Sequence, residues 1–448
     1  MGMAKRLWEE EQGRGYSLSD KFVCVRCFDD YAIKEFIKTV VSAKQCSFCG
    51  LRNQRKNIAA PGNAVLEFIL RGINSEYGDV DGEAVPYDGE EGRYMVPVFD
   101  IYDIVHEQHS DISSNEDVLD WIVNSVSDGS QWCQKDPVIL SPEEGLVAGW
   151  EDFSEAIKHG TRYLFFDAPL QRGPDVLPEP GEEPYYVHPA ELLDELANVV
   201  KDVGLIRELP SGTKLFRVRP HALGVEYNTP IELGPPPEDR AKAGRMSAAG
   251  IVVFYGALEE ATALAETERG KPSASVGTFS LLRSIKVLDL VNLPPIPSIF
   301  DREKRRLLVP LRFLYKFRQD ISAPIEPDDR MHIEYTPTQV VTEFIKLRFR
   351  DRNNDRVGGI LYPSSRNEGG RNLVLFVDRD NIQGIATESY REPQKLLTLV
   401  AAKTIELGAD PATTERIRRR AYELFEKRCR EGAALQDWLQ AEAEILRG

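Results

Sequence analysis

Two groups of residues in this 448-residue chain have types and spacings that could do chemistry. The first is a set of four cysteines, Cys24-x-x-Cys27 and Cys46-x-x-Cys49, with eighteen residues between the pairs. Each pair can turn two thiolates toward one ion, and the second pair closes a tetrahedron, which is the ligand spacing of a structural zinc site. All four positions are filled, so the pattern predicts structural rather than catalytic zinc. Free or redox-active cysteines explain a double pair less well. The second group lies in GRMSAAGIVVFYGALEEATALAE, residues 244–266, which places Arg245, Tyr255 and Glu266 around one strand and one helix. A strand that feeds a helix holds polar side chains at the rim of a sheet. Taken alone, the segment reads equally as an ordinary strand–helix unit with surface charges.

The elements that must position these residues follow from periodicity. Ile251–Tyr255 is apolar, β-branched and aromatic and predicts a buried strand ended by Gly256. Leu258, Ala261, Leu264 and Ala265 then recur at helical spacing. An α+β region opens near Ser211. Lys214–Arg219 alternates as a strand, and residues 234–237, GPPP, form a stiff loop. Val276–Leu290 predicts two strands or one bent one, and Asp301–Asp320 a helix interrupted at Pro310. Thr336-Pro-Thr-Gln339 predicts a helix start, with Thr336 as cap and Pro337 in the first position. Gly359–Tyr362 and Asn372–Val377 read as strands separated by the loop Pro363–Gly370, and from Glu392 the chain reads as helical to its end.

Ahead of this region, Asp30–Val41, a segment with Val65, Phe68 and Ile69, the Asn115-capped stretch and Glu151–Lys158 predict helices. His106 and His109 lie close together as a metal pair would, yet without a partner pair they read as surface histidines. Residues 169–187 are rich in Pro, Gly and Glu and predict a linker, followed by a helix opening at Pro189. The expected organisation is a flexible terminus over 1–20, a zinc-binding and mainly helical domain over 21–168, a linker and helix over 169–208, an α+β domain over 209–390 and C-terminal helices over 391–448.

Composition bounds the function. With 42% hydrophobic and 29% charged residues, the chain is ordinary for a globular protein. No apolar run approaches the ~20 residues that span a bilayer, so no membrane partner is expected. The first fifteen residues lack an apolar signal core, so a cytoplasmic location is expected. The formal net charge of -16 argues against a general nucleic-acid binder, while leaving room for a local basic pocket.

In the order LFRVR, LGPPP, GRMSAAGIVVFYGALEEATALAE, EYTPTQVVTEFI and GGILYPSS…GGRNLVLF, residues 214–378 resemble the RES-domain family. The long form, with an N-terminal cysteine-rich region grouped with HEPN-like domains, is the most similar. The resemblance implies a core similar to ADP-ribosyltransferases and an NAD-consuming toxin. Such enzymes split nicotinamide from NAD with water or inorganic phosphate, or transfer ADP-ribose to a protein. By motif, the first arginine falls on Arg217, with Arg219 as the near alternative. The second falls on Arg245, the tyrosine on Tyr255, the glutamate on Glu266 and the serine on Ser364, with Ser365 beside it.

The implied roles suit these residue types. Breaking the nicotinamide–ribose bond builds positive charge on the sugar, and Glu266 would stabilise it. Arg217 and Arg245 would hold pyrophosphate. Tyr255 would offer a flat face and a hydroxyl. Ser364 or Ser365 would meet ribose or phosphate. Singly, each residue is as well explained by structure, as a strand-edge ion pair, a core ring, a solvated acid or a turn residue. An antitoxin or other regulatory protein is a partner the resemblance implies. A protein ADP-ribosyltransferase and a non-catalytic or RNA-associated protein are the alternatives. HEPN nucleases carry Arg-x4–6-His, and none of the six histidines has an arginine at that spacing, which argues against RNA cleavage.

Overall fold

The computed structural model describes residues 13–83, 85–126, 131–136, 140–165, 186–267, 271–323, 331–385, 394–407, 416, 418–424, 440–441 and 444. Most of the expected linker and most of the expected C-terminal helices lie outside the described residues. The chain divides into two compact units. Among the described residues, no helix is long and apolar enough to cross a membrane.

The first unit is residues 1–151, 169–188 and 294–313. Strand β1 (Phe22–Cys24) leads by a tight turn into helix α1 (Tyr31–Val40) and pairs antiparallel with β2 (Ala59–Pro61). Asp30 caps α1 by accepting from the Ile33 N–H at 2.9 Å. Helix α2 (Gly62–Glu76) follows, then β3 (Tyr77–Asp79) and a hairpin of β4 (Tyr87–Asp88) and β5 (Arg93–Tyr94). Helix α3 (Glu116–Ser125) is capped by Asn115 as expected, and β6 (Trp132–Gln134) pairs with β3. Helix α4 (Pro142–Glu155) is longer than the Glu151–Lys158 helix expected there. Ile33, Ile37, Leu66, Ile69, Ile73 and Ile122 build the core together with Cys24, Cys27 and Cys46.

His106 and His109 are half-buried rather than exposed, which modifies the expectation for them. Asp103–Gln108 winds as a π-helix that carries His106, and His109 follows it as the C-cap. The His106 ring stacks on Tyr102 with centroids 4.2 Å apart. His109 meets Tyr77 and Phe300 edge-on. Both Nε2 atoms are buried, with no hydrogen-bond partner among the described residues.

The second unit is residues 152–168, 189–293 and 314–448. Helix α5 (Leu192–Val203) starts three residues after Pro189 rather than on it, and ends at Gly204, whose φ of +78° suits glycine. The strands are β7 (Ile206–Leu209), β8 (Lys214–His221), β9 (Phe254–Ala257), β10 (Ser273–Leu281), β11 (Ile285–Asp289), β12 (Gly359–Pro363), β13 (Arg371–Leu375) and β14 (Leu397–Glu406). They form one mixed sheet in the order β14-β10-β8-β9-β13-β12-β11-β7, antiparallel except for β11 with β12. The helices are α6 (Pro230–Leu233), α7 (Glu260–Ala265), α8 (Leu308–Ser322), α9 (Met331–Glu334) and α10 (Thr336–Leu347). Alternation along the strands sends Leu215, Phe254, Phe279, Leu361, Leu373 and Leu375 to one buried face. Tyr255, Ala257, Tyr362 and Asn372 therefore point to the other.

Several expectations change here. The helix expected from Glu392 is instead the edge strand β14 over Leu397–Glu406, paired with β10 from Leu281↔Leu397 to Ser273↔Glu406. Ala, Lys and Glu favour a helix locally, but ladder pairing with a buried neighbour overrides that weak preference. Gly256 does not end a strand: it lies inside β9, which starts only at Phe254. A Cβ there would come within 2.8 Å of the Phe254 ring and 3.2 Å of the Phe216 carbonyl. Pro310 does not interrupt a helix, because it falls in the first turn of α8, where its missing N–H costs nothing. Thr336 is not a cap: Tyr335 takes that position, and the Gln339 amide donates to Gly244 O and Ser247 O instead of closing a capping box.

Candidate functional site

A cavity of about 410 Å³ opens on the sheet face that carries Tyr255. It lies where the sheet is splayed, since β8 and β9 share a single residue pair, Phe216↔Ala257. Arg217, Arg245, Tyr255, Glu266, Tyr362 and Asn372 line it. The structure thus brings together four of the residues singled out in the sequence and adds two.

Arg217 fills the splay. Its Nη1 donates to Tyr255 O at 2.9 Å, a carbonyl that the short β8–β9 pairing leaves free, and its guanidinium lies 5.4 Å from the Phe254 ring centroid. No carboxylate is paired with it among the described residues. Desolvation lowers its pKa to about 10, against the opposing influence of Tyr255. A cation so desolvated, at the wall of a cavity, is suited to an anionic ligand. Arg219 points elsewhere: its guanidinium lies over Tyr227 at 4.3 Å and donates to Glu232 O, and it does not line the cavity.

Tyr255 presents its ring to the cavity while its hydroxyl holds the neighbouring turn, accepting from Met246 N–H at 2.9 Å and meeting Ser247 Oγ at 3.1 Å. Burial raises its pKa. Arg245 is committed to the protein. Its Nη1 and Nη2 donate to Ile321 O and Ala323 O at 2.7 and 2.8 Å, at the end of α8, and Tyr335 lies 5.4 Å from its guanidinium. Gly244, next to it, has no room for a side chain, because a Cβ would come within 2.7 Å of the Tyr255 hydroxyl.

Glu266 closes α7 as its C-cap. Its Oε1 accepts two hydrogen bonds, from Ser364 Oγ at 2.6 Å and from Asn372 Nδ2 at 2.7 Å. Ser364 does not line the cavity, and its Oγ also accepts the N–H groups of Arg366 and Asn367 at 3.1 and 3.0 Å, which folds the loop. Ser365 is exposed and lies off the cavity. The other end of α7 is tied to the same loop. Glu259 accepts from Arg371 N and Nε at 2.9 and 2.6 Å, and Asn367 Nδ2 donates to Thr262 Oγ1 at 2.8 Å. Helix α7 and residues 364–372 therefore hold Glu266 from both sides.

Two residues escaped the sequence reading. Asn372 is only 6% exposed, and it pairs across the sheet with Tyr362 on one side and Ala257 on the other. Burial pushes the Tyr362 phenol well above its ordinary pKa, with Tyr255 and Glu266 adding to it. The available signal was a polar residue opening the apolar run Asn372–Val377, out of phase with Leu373 and Leu375.

A second site lies in the first unit. The Sγ atoms of Cys24, Cys27, Cys46 and Cys49 all lie within 4.8 Å of one another, so these four cysteines could hold a metal ion. The separations are 4.0 Å for Cys24–Cys27 and 3.5 Å for both Cys24–Cys49 and Cys27–Cys46. Four thiolates at ~2.3 Å from a tetrahedral zinc stand roughly 3.8 Å apart, so the donor set fits. Burial raises the Cys24 thiol to about 11 and Cys27 further. At Cys46 the N–H groups of Cys49, Phe48 and Cys24 outweigh burial and bring it down to about 7. A divalent cation would offset the cost of gathering such thiols.

The chain matches known families over three stretches. Residues 40–170 match HEPN/RES N-terminal domain 1, residues 214–396 match the RES domain, and residues 412–447 match a family described as a protein of unknown function, DUF2934. Neither a curated protein nor a solved structure matches it. The RES match runs from the first residue of β8 to the start of β14 and contains every residue that lines the cavity. With a HEPN/RES-type domain ahead of it, the chain is a long-form RES-domain protein.

Proposed function

We propose that this protein is an NAD-consuming enzyme that cleaves the nicotinamide–ribose bond, as a glycohydrolase or phosphorylase, and serves as a cytoplasmic toxin or defence effector on an ADP-ribosyltransferase-like core. The observation that carries this reading is the Glu266 carboxylate, held on one oxygen by Ser364 and Asn372 beside a cavity that also contains the desolvated Arg217 and the Tyr255 ring. Arg217 would meet the pyrophosphate. Glu266 would face the ribose as the C1′–N bond breaks. The electron pair leaves with the nicotinamide nitrogen and cancels its positive charge. Water then adds to C1′ and loses its proton to solvent, or phosphate adds through one oxygen as its dianion. The carboxylate stabilises the sugar cation in between. In the first unit, the four cysteines would hold one structural zinc.

Purified protein incubated with NAD, with and without inorganic phosphate, tests this. Nicotinamide release that disappears in Glu266→Gln supports the reading, and release unchanged in that variant would falsify it. A product that changes from ADP-ribose to a phosphorylated ADP-ribose with added phosphate separates phosphorylase from hydrolase. Label moving from NAD to protein identifies a transferase instead.

A further inference from the structure

We infer that Asn372 is a positioning residue that acts together with Ser364 to lock Oε1 of Glu266, so that Oε2 alone is presented to the substrate. The substrate's identity rests on the NAD reading above; the lock itself does not.

The argument is one of hydrogen-bond capacity. A carboxylate oxygen has two lone-pair sites. Both sites of Oε1 are taken, by Ser364 Oγ at 2.6 Å and Asn372 Nδ2 at 2.7 Å. The Ser364 hydroxyl is also spent. It has one proton, given to Glu266, and its oxygen accepts the N–H groups of Arg366 and Asn367. Ser364 therefore has no proton left for a phosphate or a ribose. Asn372 is suited to rigid support. It is buried near the start of β13, with β9 on one side and β12 on the other, and a side chain fixed by two neighbouring strands has little freedom to follow its partner. Glu266, by contrast, is an exposed residue at a helix end, where an unsupported side chain would sample several rotamers. Two donors on one oxygen fix the plane of the carboxylate and leave the other oxygen to meet charge developing on a sugar.

Two substitutions test the lock. Asn372→Leu keeps roughly the size of the side chain and removes the donor. It is expected to lower the kcat of nicotinamide release ten- to hundred-fold while the KM for NAD stays within about two-fold, since Arg217 is untouched. Asn372→Asp places a second carboxylate against Oε1 at neutral pH. Protonating the new carboxyl restores a donor, so the activity of this variant relative to the native protein should recover as the pH falls. Its melting temperature should behave in the same way, lying below the native value at neutral pH with the gap closing on acidification. Native kcat in Asn372→Leu, or a melting gap in Asn372→Asp that does not change with pH, overturns the inference. If the native protein releases no nicotinamide, the NAD reading fails, while the pH dependence of the Asn372→Asp melting gap, which should shrink in a Glu266→Gln background if the two carboxyls face each other, still decides whether Asn372 holds Glu266.

Discussion

The guanidinium of Arg217 donates to the backbone carbonyl of Tyr255 across the gap between β8 and β9, at 2.9 Å. One bond thereby does the work of a missing ladder rung and fixes a cation at the cavity wall. An unpaired buried cation costs stability, whereas a charge-assisted bond to a ligand is worth about 1.5–3 kcal/mol. Arg217→Gln keeps a donor for the carbonyl and removes the charge. Its KM for NAD should rise roughly ten- to hundred-fold, with a urea midpoint at or above that of the native protein. A variant that binds NAD normally would remove Arg217 from the anion site.

Tyr255 links the ring of the site to its turn. Its hydroxyl accepts from the Met246 N–H, and Gln339 holds the carbonyls of Gly244 and Ser247 from the opposite side. Tyr255→Phe leaves the buried Met246 N–H without its acceptor, which costs about 1–3 kcal/mol. Denaturant unfolding should show a loss of that size. Because the ring remains, the KM for NAD should change less than kcat. An unchanged midpoint would mean that the turn finds another acceptor.

The legibility of the site divides along a physical line. Arg217, Tyr255 and Glu266 are chemically distinctive and sit in an ordered series of motifs, so a single sequence carries them as far as the cavity. Asn372 reaches Glu266 only because β13 is inserted between β9 and β12, and cross-strand adjacency of that kind has no local signature. The same limit applies to Arg245, whose partners Ile321 and Ala323 lie more than seventy residues away in sequence. For β14, local composition pointed the wrong way: its alanines and lysine suit a helix, and the long antiparallel pairing with β10 decides otherwise. Strand β8 was legible because period two is written into Lys214–Arg219, and β12 and β13 were legible as short, continuously apolar runs separated by the Pro363–Gly370 loop.

The cysteine cluster gives a metal prediction. Cys24, Cys27 and Cys46 are part of the core of the first unit, so the ion and the packing depend on each other. Elemental analysis should find one zinc per chain. Cys27→Ser or a strong chelator should remove it and expose residues 13–126 to proteolysis, since structural zinc contributes roughly 10–16 kcal/mol in small zinc modules. A metal-free protein that remains protease-resistant there would show that packing alone holds this unit.

His109 makes the stability of the first unit depend on pH. Desolvation lowers its pKa from the ordinary 6.5, opposed by Asp111, Glu76 and Asp30, with Arg312 adding to the lowering. Its Nε2 is buried without a partner among the described residues, so a proton there has nothing to bond to. The unfolded chain then takes up a proton at a higher pH than the folded one, and stability rises with pH wherever the unfolded state holds more protons. From this residue, stability should be constant above about pH 7 and should fall as the pH drops through 6.5, levelling off once the folded state is also protonated. His109→Phe keeps the edge-on contacts with Tyr77 and Phe300 and removes the titration. Melting curves between pH 8 and pH 5 should therefore separate the two proteins progressively, with the variant losing less on acidification. Parallel curves would place the pH dependence in other groups.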